Sequence, residues 1–262
     1  MLKLFCLLII SQLTSNFTLF KKRESLSNVS NKTNVLIYYF KIRLLISLVI
    51  TLLLLLLGLD INWKMWVISN VLIFIINTAI DYILTYPYVK ANFEKWFPKY
   101  KALVIYLVEH IVRFIGIYIS VCVVSGRPLL TFRMISGLDF TTVPKETMIL
   151  IGLTFFLIGT LSAAQIIKLF LSALSLSNDN GTATANQSIG IIIGIIERSI
   201  ITLFVVGEAY SGVATVIALK TLSRFKSIEE DKEFAEYYLV GNLLSLSFSV
   251  GTGLLIRYLF KL

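Results

Sequence analysis

Residues 189–241 read IGIIIGIIERSIITLFVVGEAYSGVATVIALKTLSRFKSIEEDKEFAEYYLVG. An adjacent Glu197 and Arg198 stand inside an apolar run long enough to cross a bilayer. A charge at such depth costs on the order of several kcal/mol, so it faces a protein interior or a water-filled cavity rather than lipid. The chain then returns through a second apolar stretch and enters a charged hinge, Lys220 to Glu236. The default reading of that charge run is a solvated loop. Apolar segments punctuated by brief polar ones, with charges kept at special places, are the mark of a polytopic membrane protein.

The rest of the sequence extends that pattern. Of 262 residues, 57% are hydrophobic, and the mean hydropathy is +0.85, too apolar for an ordinary soluble domain. The apolar runs are continuous, without the period-two alternation of membrane strands. The predicted fold is therefore an all-α transmembrane bundle of about seven or eight spans. It divides into an N-terminal four-helix half (1–124), an external loop (125–146) and a C-terminal half (147–262) that carries the Glu-Arg span and the hinge. The formal charge of +9 marks cytoplasmic loops facing anionic lipid, and no basic aromatic surface for nucleic acid is present. The lipid bilayer is thus the first predicted partner. Cys6 and Cys122 lie in apolar runs without ligand spacing and are packing residues.

The first run, Met1 to Phe20, has the look of a signal peptide, but no cleavage site follows it and it continues to Lys21-Lys22-Arg23. A retained helix is the preferred reading over a cleaved signal. Ile37 to Leu59 follows, with Lys41 and Arg43 placed to snorkel to the interface. The third run, Met65 to Thr85, ends at Tyr86-Pro87-Tyr88, and the fourth is Ala102 to Val124. The fifth, Thr147 to Ser175, leads to the polar loop SNDNGTATANQS, and the last is Tyr237 to Leu259. Basic loops near Lys21, Lys90 and Lys220 share one side if there are about eight crossings, which places them in the cytoplasm and both termini outside a cell membrane. Ser211 to Thr221 is short for a full crossing; if it is re-entrant, or continues as a helix into the cytoplasm, instead of crossing, the C-terminus moves inside.

Candidate site residues follow from helical spacing. Asn77 and Asp81 are four apart, as are Glu109 and Arg113, the latter in the favourable order for a helical ion pair. His110, the single histidine, stands beside them and titrates near neutrality. One reading is a self-neutralising polar seam that joins helices. The other is a buried charged site formed by Asp81, Glu109, His110, Arg113, Glu197 and Arg198. Gly190 and Gly194 form a small-x-x-x-small pair for close helix approach, within the chain or in a homo-oligomer. Asn242, Ser245, Ser249 and Gly253 form a packing stripe on the last helix. The hinge residues Lys220, Arg224, Phe225, Glu236 and Tyr237 could dock a soluble cytoplasmic partner. No phosphate-binding loop, zinc-protease motif or nucleophile elbow is present. One histidine excludes a multi-histidine metal centre, and neither a metal nor another cofactor is predicted; the chain reads first as a non-enzymatic scaffold or signal-transmitting component, second as a transporter or channel for a small ion or solute, and only third as an intramembrane metal-dependent hydrolase.

Three groups of residues carry a resemblance: Gly194, Glu197 and Arg198; Lys220, Arg224 and Phe225; Ala235, Glu236 and Tyr237. Over about a fifth of the chain this stretch resembles the C-terminal signature of the bacterial membrane proteins catalogued as domain of unknown function 3307. The N-terminal half of that family resembles a duplicated helix pair bearing His-x-x-x-Asp motifs and a later Asp-Gln-x-x-His. Gln12 and Asn16, Asn77 and Asp81, then Glu109, His110 and Arg113 stand at those places here. The resemblance implies a parallel two-helix repeat and, in relatives, residues suited to a divalent metal. Arg113 brings a fixed positive charge to that position. The expectation is an ion pair in place of a metal, with any metal-dependent hydrolysis lost.

Overall fold

The computed structural model describes residues 2–26, 38, 41–50, 62–84, 100–126, 143–174 and 184–260. Among them the regular structure is all helical, without strands. In order these are α1 (Leu2–Leu26), α2 (41–50), α3 (Trp63–Leu84), α4 (Lys101–Ser125), α5 (Lys145–Leu174), α6 (Thr184–Val206), α7 (Tyr210–Ser223), α8 (Phe225–Glu230) and α9 (Lys232–Phe260). Three of them, α4, α5 and α9, are long and apolar enough to cross a membrane. At 1.5 Å per residue the 25 residues of α4 measure about 37 Å, against a hydrocarbon core of about 30 Å. Much of the second run, the Tyr86-Pro87-Tyr88 stop, the basic loop near Lys90, most of the 125–146 loop and residues 175–183 lie outside the described residues.

The surface pattern of the helices is inverted relative to a soluble protein. On α4, Ile111, Ile115, Ile119 and Val123 are exposed, while Glu109, Arg113, Gly116 and Ser120 are buried on the opposite face. On α6, Ile192, Ile196, Ile200 and Leu203 are exposed, while Arg198 and Thr202 are buried. In water such stripes would be an association hazard. Against acyl chains they are the solvated face, and the polar face needs the protein. The composition and the direction of burial therefore agree on a membrane protein.

The chain forms two compact units, Met1–Thr154 and Phe155–Leu262, and the division falls inside α5 rather than in the 125–146 loop. In the first, α1 is central: Leu4, Cys6–Leu13, Ser15 and Asn16 are all buried. It packs on α4, which also packs along α3. Gly116 of α4 makes room for α3, since a Cβ there would stand 2.8 Å from the Ile76 side chain. Arg43 is buried on α2 and does not snorkel to the interface. The helical phase that turns Ser47 to Asn70, at 2.8 Å, carries residue 43 one turn earlier to the same inner face.

In the second unit, α6 and α9 run parallel in near-constant register. Arg198 meets Ser245, Thr202 meets the Ser249 carbonyl and Val205 lies on Gly253. The stripe Ser245, Ser249 and Gly253 is the seam of this pair, with Thr202 and Ser249 wholly enclosed. The second half of α5 runs antiparallel to α9, with Gly159 against Thr252 and Gly241 against Leu171. A π-helical turn at Ile158–Ser162 interrupts α5. The return from α6 to α9 is made by α7 and α8. The 14 residues of α7 reach only about 21 Å, too short to cross alone. The hinge read as a solvated loop is helical: α7 stops at Arg224, α8 follows, Asp231 is extended and α9 begins at Lys232. Its side chains are nonetheless solvated, because α8 has no buried residue.

Candidate functional site

The first unit gathers five of the singled-out residues from three helices. Arg113 Nη2 donates to Glu109 Oε1 at 2.5 Å, and the two side chains are 2% and 6% exposed. Four-residue spacing on α4 places both on the buried face, acid first, in line with the helix dipole. Arg113 Nη1 also donates to Asn77 Oδ1 at 3.0 Å and to Asn16 Oδ1 at 3.5 Å. Asn77 and Gln12 exchange amide hydrogen bonds, Asn77 Nδ2 to Gln12 Oε1 at 2.8 Å and Gln12 Nε2 to Asn77 Oδ1 at 3.3 Å. Gln12 Nε2 closes the set on Asn16 Oδ1 at 3.1 Å. One carboxylate and one guanidinium are thus neutralised locally and wrapped by three amides, which supply donors and acceptors without adding charge.

A cleft of about 240 Å³ adjoins this network, lined among others by Gln12, Asn77, Arg43, Ser47, Asn70 and Phe74. His110 is half-buried beside the pair rather than in it. Its Nδ1 donates to the Tyr106 carbonyl at 3.0 Å, with the two rings 4.0 Å apart. Asp81 is on α3 one turn beyond Asn77, and its side chain lies outside the described residues. Among the described residues there is no grouping of three or more His, Cys, Asp or Glu that could hold a metal ion.

Glu197 and Arg198 fall in the second unit and make no direct ion pair with one another. Neighbours in a helix point about 100° apart, and each side chain turns to a different helix. Glu197 Oε2 accepts from Lys220 Nζ of α7 in a pair 19% and 24% exposed. Arg198 is 4% exposed and faces α9 and the π turn of α5. Its Nε donates to the Thr160 carbonyl at 3.4 Å and its Nη1 to Ser245 Oγ at 3.3 Å. Gly190 is exposed, and a Cβ there would meet nothing within 4 Å, whereas a Cβ on Gly194 would come 3.3 Å from the Arg198 guanidinium of its own helix. Among the described residues, neither glycine brings two helices together. Gly159 and Gly253 do that instead, against Thr252 and Val205.

Arg224, Phe225, Glu236 and Tyr237 are exposed around the α7–α8–α9 elbow, while Lys220 belongs to the ion pair. No family model, no curated protein and no solved structure matches this chain. Two ionic contacts at helix ends were not legible in the sequence. Lys3 pairs with Glu146 in the first unit. In the second, Arg257 pairs with Glu208 and donates to the Tyr210 hydroxyl at 2.7 Å. Glu208 carries a positive φ of 58° in the α6–α7 turn, and the Gly-Glu-Ala-Tyr sequence there was the available signal for a tight reversal.

Proposed function

We propose that the chain is a non-enzymatic, multi-pass protein of the cell membrane with about seven or eight spans, acting as a scaffold or signal-transmitting component. The observation that carries this reading is the contrast between paired interior charges and an elbow whose apolar and charged side chains are exposed. Glu109 with Arg113, and Glu197 with Lys220, are each matched by an opposite charge. At the elbow, Phe225 is 58% and Leu222 68% exposed beside Glu229, Glu230, Asp231 and Glu233, all exposed. Arg224, Lys226 and Lys232 are exposed there too, with Lys226 paired to Glu230, and an aromatic anchor with a rim of both charges suits a soluble cytoplasmic partner of complementary charge pattern. The resemblance to the domain of unknown function 3307 belongs to the same proposal. Gln12, Asn16, Asn77, Glu109 and Arg113 converge at the places where that family carries histidines and aspartates, and Arg113 supplies the cation that a metal would otherwise bring.

The test is site-specific photocrosslinking from Phe225 in intact membranes, paired with solute flux in liposomes. A discrete protein adduct that disappears in Glu229→Lys/Glu230→Lys, with no flux, supports the scaffold. Flux of an ion or metabolite abolished by Glu197→Gln overturns it in favour of transport. That second reading, a transporter or channel for a small solute, is favoured by the cleft beside Gln12 and Asn77. Stoichiometric zinc or manganese lost on Asp81→Asn would overturn the ion pair as a substitute for metal.

A further inference from the structure

The cleft between α1, α2 and α3 has a floor and a mouth of different character. Ser11 of α1 lines the floor and is 9% exposed. Its carbonyl accepts from Thr14 Oγ1 at 3.0 Å, but its hydroxyl makes no hydrogen bond among the described residues. A polar group so nearly enclosed costs free energy unless something in the cleft answers it. Asn70, on the α3 wall, accepts from Ser47 and donates to the Trp66 carbonyl, both at 2.8 Å, which leaves its second amide N–H. Asn77 Nδ2 uses one of its two N–H groups on Gln12 Oε1. Arg43 is the charged residue of the lining, and it is engaged within the protein. What the lining still offers is therefore neutral: a hydroxyl and spare amide N–H groups.

The mouth faces the other way. Leu44 of α2 and Val71 of α3 line the cleft and are 46% and 54% exposed, so it opens between them onto the outer surface. Leu45, Leu48, Ile68 and Ile75 are exposed around that opening, an apolar flank of the kind that acyl chains solvate. A ligand thus enters from the acyl phase rather than from water. The volume of about 240 Å³ exceeds the ~150 Å³ that holds a benzene and falls below the ~300–1,000 Å³ of a pocket for a whole small molecule. It suits the polar end of a longer molecule whose chain stays in the bilayer. A charged end would be buried against neutral groups at high cost, whereas carbonyl and hydroxyl oxygens match the spare donors. We propose that this cleft binds the uncharged head of a membrane amphiphile, an ester or alcohol of the monoacylglycerol class, taken in sideways between Leu44 and Val71 and held by Ser11, Asn70 and Asn77.

The experiment uses the full chain in phosphatidylcholine nanodiscs carrying a monoacylglycerol with a photoactivatable diazirine near its ester. After irradiation, peptide mass spectrometry locates the label, and unlabelled monoacylglycerol serves as competitor. The expected label falls on residues 11–15, 44–47 and 70–77, saturates, and is competed away. Ser11→Ala weakens the competitor about fivefold, the effect of one hydrogen bond. That variant should unfold no earlier than the wild type, since its hydroxyl has no partner to lose. Val71→Trp, a change at an exposed position that closes the mouth, abolishes the saturable label. Label that does not saturate, or that spreads over the exposed faces of α2 and α3, overturns the proposal and leaves bulk lipid contact. Saturable label unchanged in Ser11→Ala or in Val71→Trp overturns it too. So does stronger competition by the free fatty acid of the same chain length, which would assign recognition to a charged head. The outcome is independent of elbow docking, since none of these residues is at the elbow.

Discussion

Breaking the Glu109–Arg113 pair from either side should be far more damaging than removing both charges together. The pair is nearly closed to solvent, at 6% and 2% exposure. At an effective dielectric of about 20 and a charge separation of about 4 Å, the attraction is about 4 kcal/mol. Glu109→Ala removes that and leaves a buried guanidinium, so a loss of about 3–5 kcal/mol is expected. Arg113→Met should cost at least as much, because Asn77 Oδ1 loses its 3.0 Å donor and keeps only the 3.3 Å contact from Gln12. In the double variant Glu109→Leu/Arg113→Met neither charge is stranded, and apolar side chains fill the same volume between α1, α3 and α4. Its cost should fall below the sum of the singles by about 2–4 kcal/mol. Steric trapping or denaturant titration of the purified protein in detergent reads all four corners of the cycle. Singles that each cost under about 1 kcal/mol, or that add without coupling, would refute a desolvated pair and imply that water reaches this network.

Lys220→Met should cost only about 1 kcal/mol or less, because the Glu197–Lys220 pair is partly open; the reversed pair Glu197→Lys/Lys220→Glu should recover most of it in the same titration. Gly253→Val should destabilise by about 1–3 kcal/mol, since its Cβ would stand 2.7 Å from Val205, whereas Gly190→Ala should leave unfolding unchanged, with nothing within 4 Å. Gly190→Leu then serves as a clean probe of homo-oligomerisation: a change in sedimentation mass without a change in unfolding would assign that face to a second copy. Gly126→Ala, at φ 64° closing α4, should cost about 1 kcal/mol in thermal unfolding.

Helical type and apolar extent were legible because both are one-dimensional. The run Ala102 to Val124 coincides with α4 to within a residue at each end, and Thr147 to Ser175 with α5 to within two. The pairing of Glu109 with Arg113 was equally legible, because four-residue spacing settles it locally. Partners separated along the chain were another matter. Lys220 was assigned to a hinge, although the antiparallel return of α7 carries it to Glu197. Adjacency in sequence suggested that Glu197 and Arg198 belong together, while helical geometry sends them to different neighbours. Charge density at 226–236 suggested a loop, yet an exposed helix satisfies its own backbone and leaves charged side chains free to meet water. The π turn has no signature at all in Ile-Gly-Thr-Leu-Ser.

That extra residue in α5 has a consequence for the phase of the rod. Gly159 and Leu171 both face α9, and they do so across a segment whose winding departs from 3.6 residues per turn. Rewinding Ile158–Ser162 to 3.6 residues per turn with all five residues kept would rotate everything beyond it by roughly a quarter turn and swing Leu171 away from Gly241. Deleting one residue there would instead remove the irregular turn together with its extra residue and leave the far half facing as it does. The irregular turn thus acts as the key that sets which side of the rod meets its neighbours.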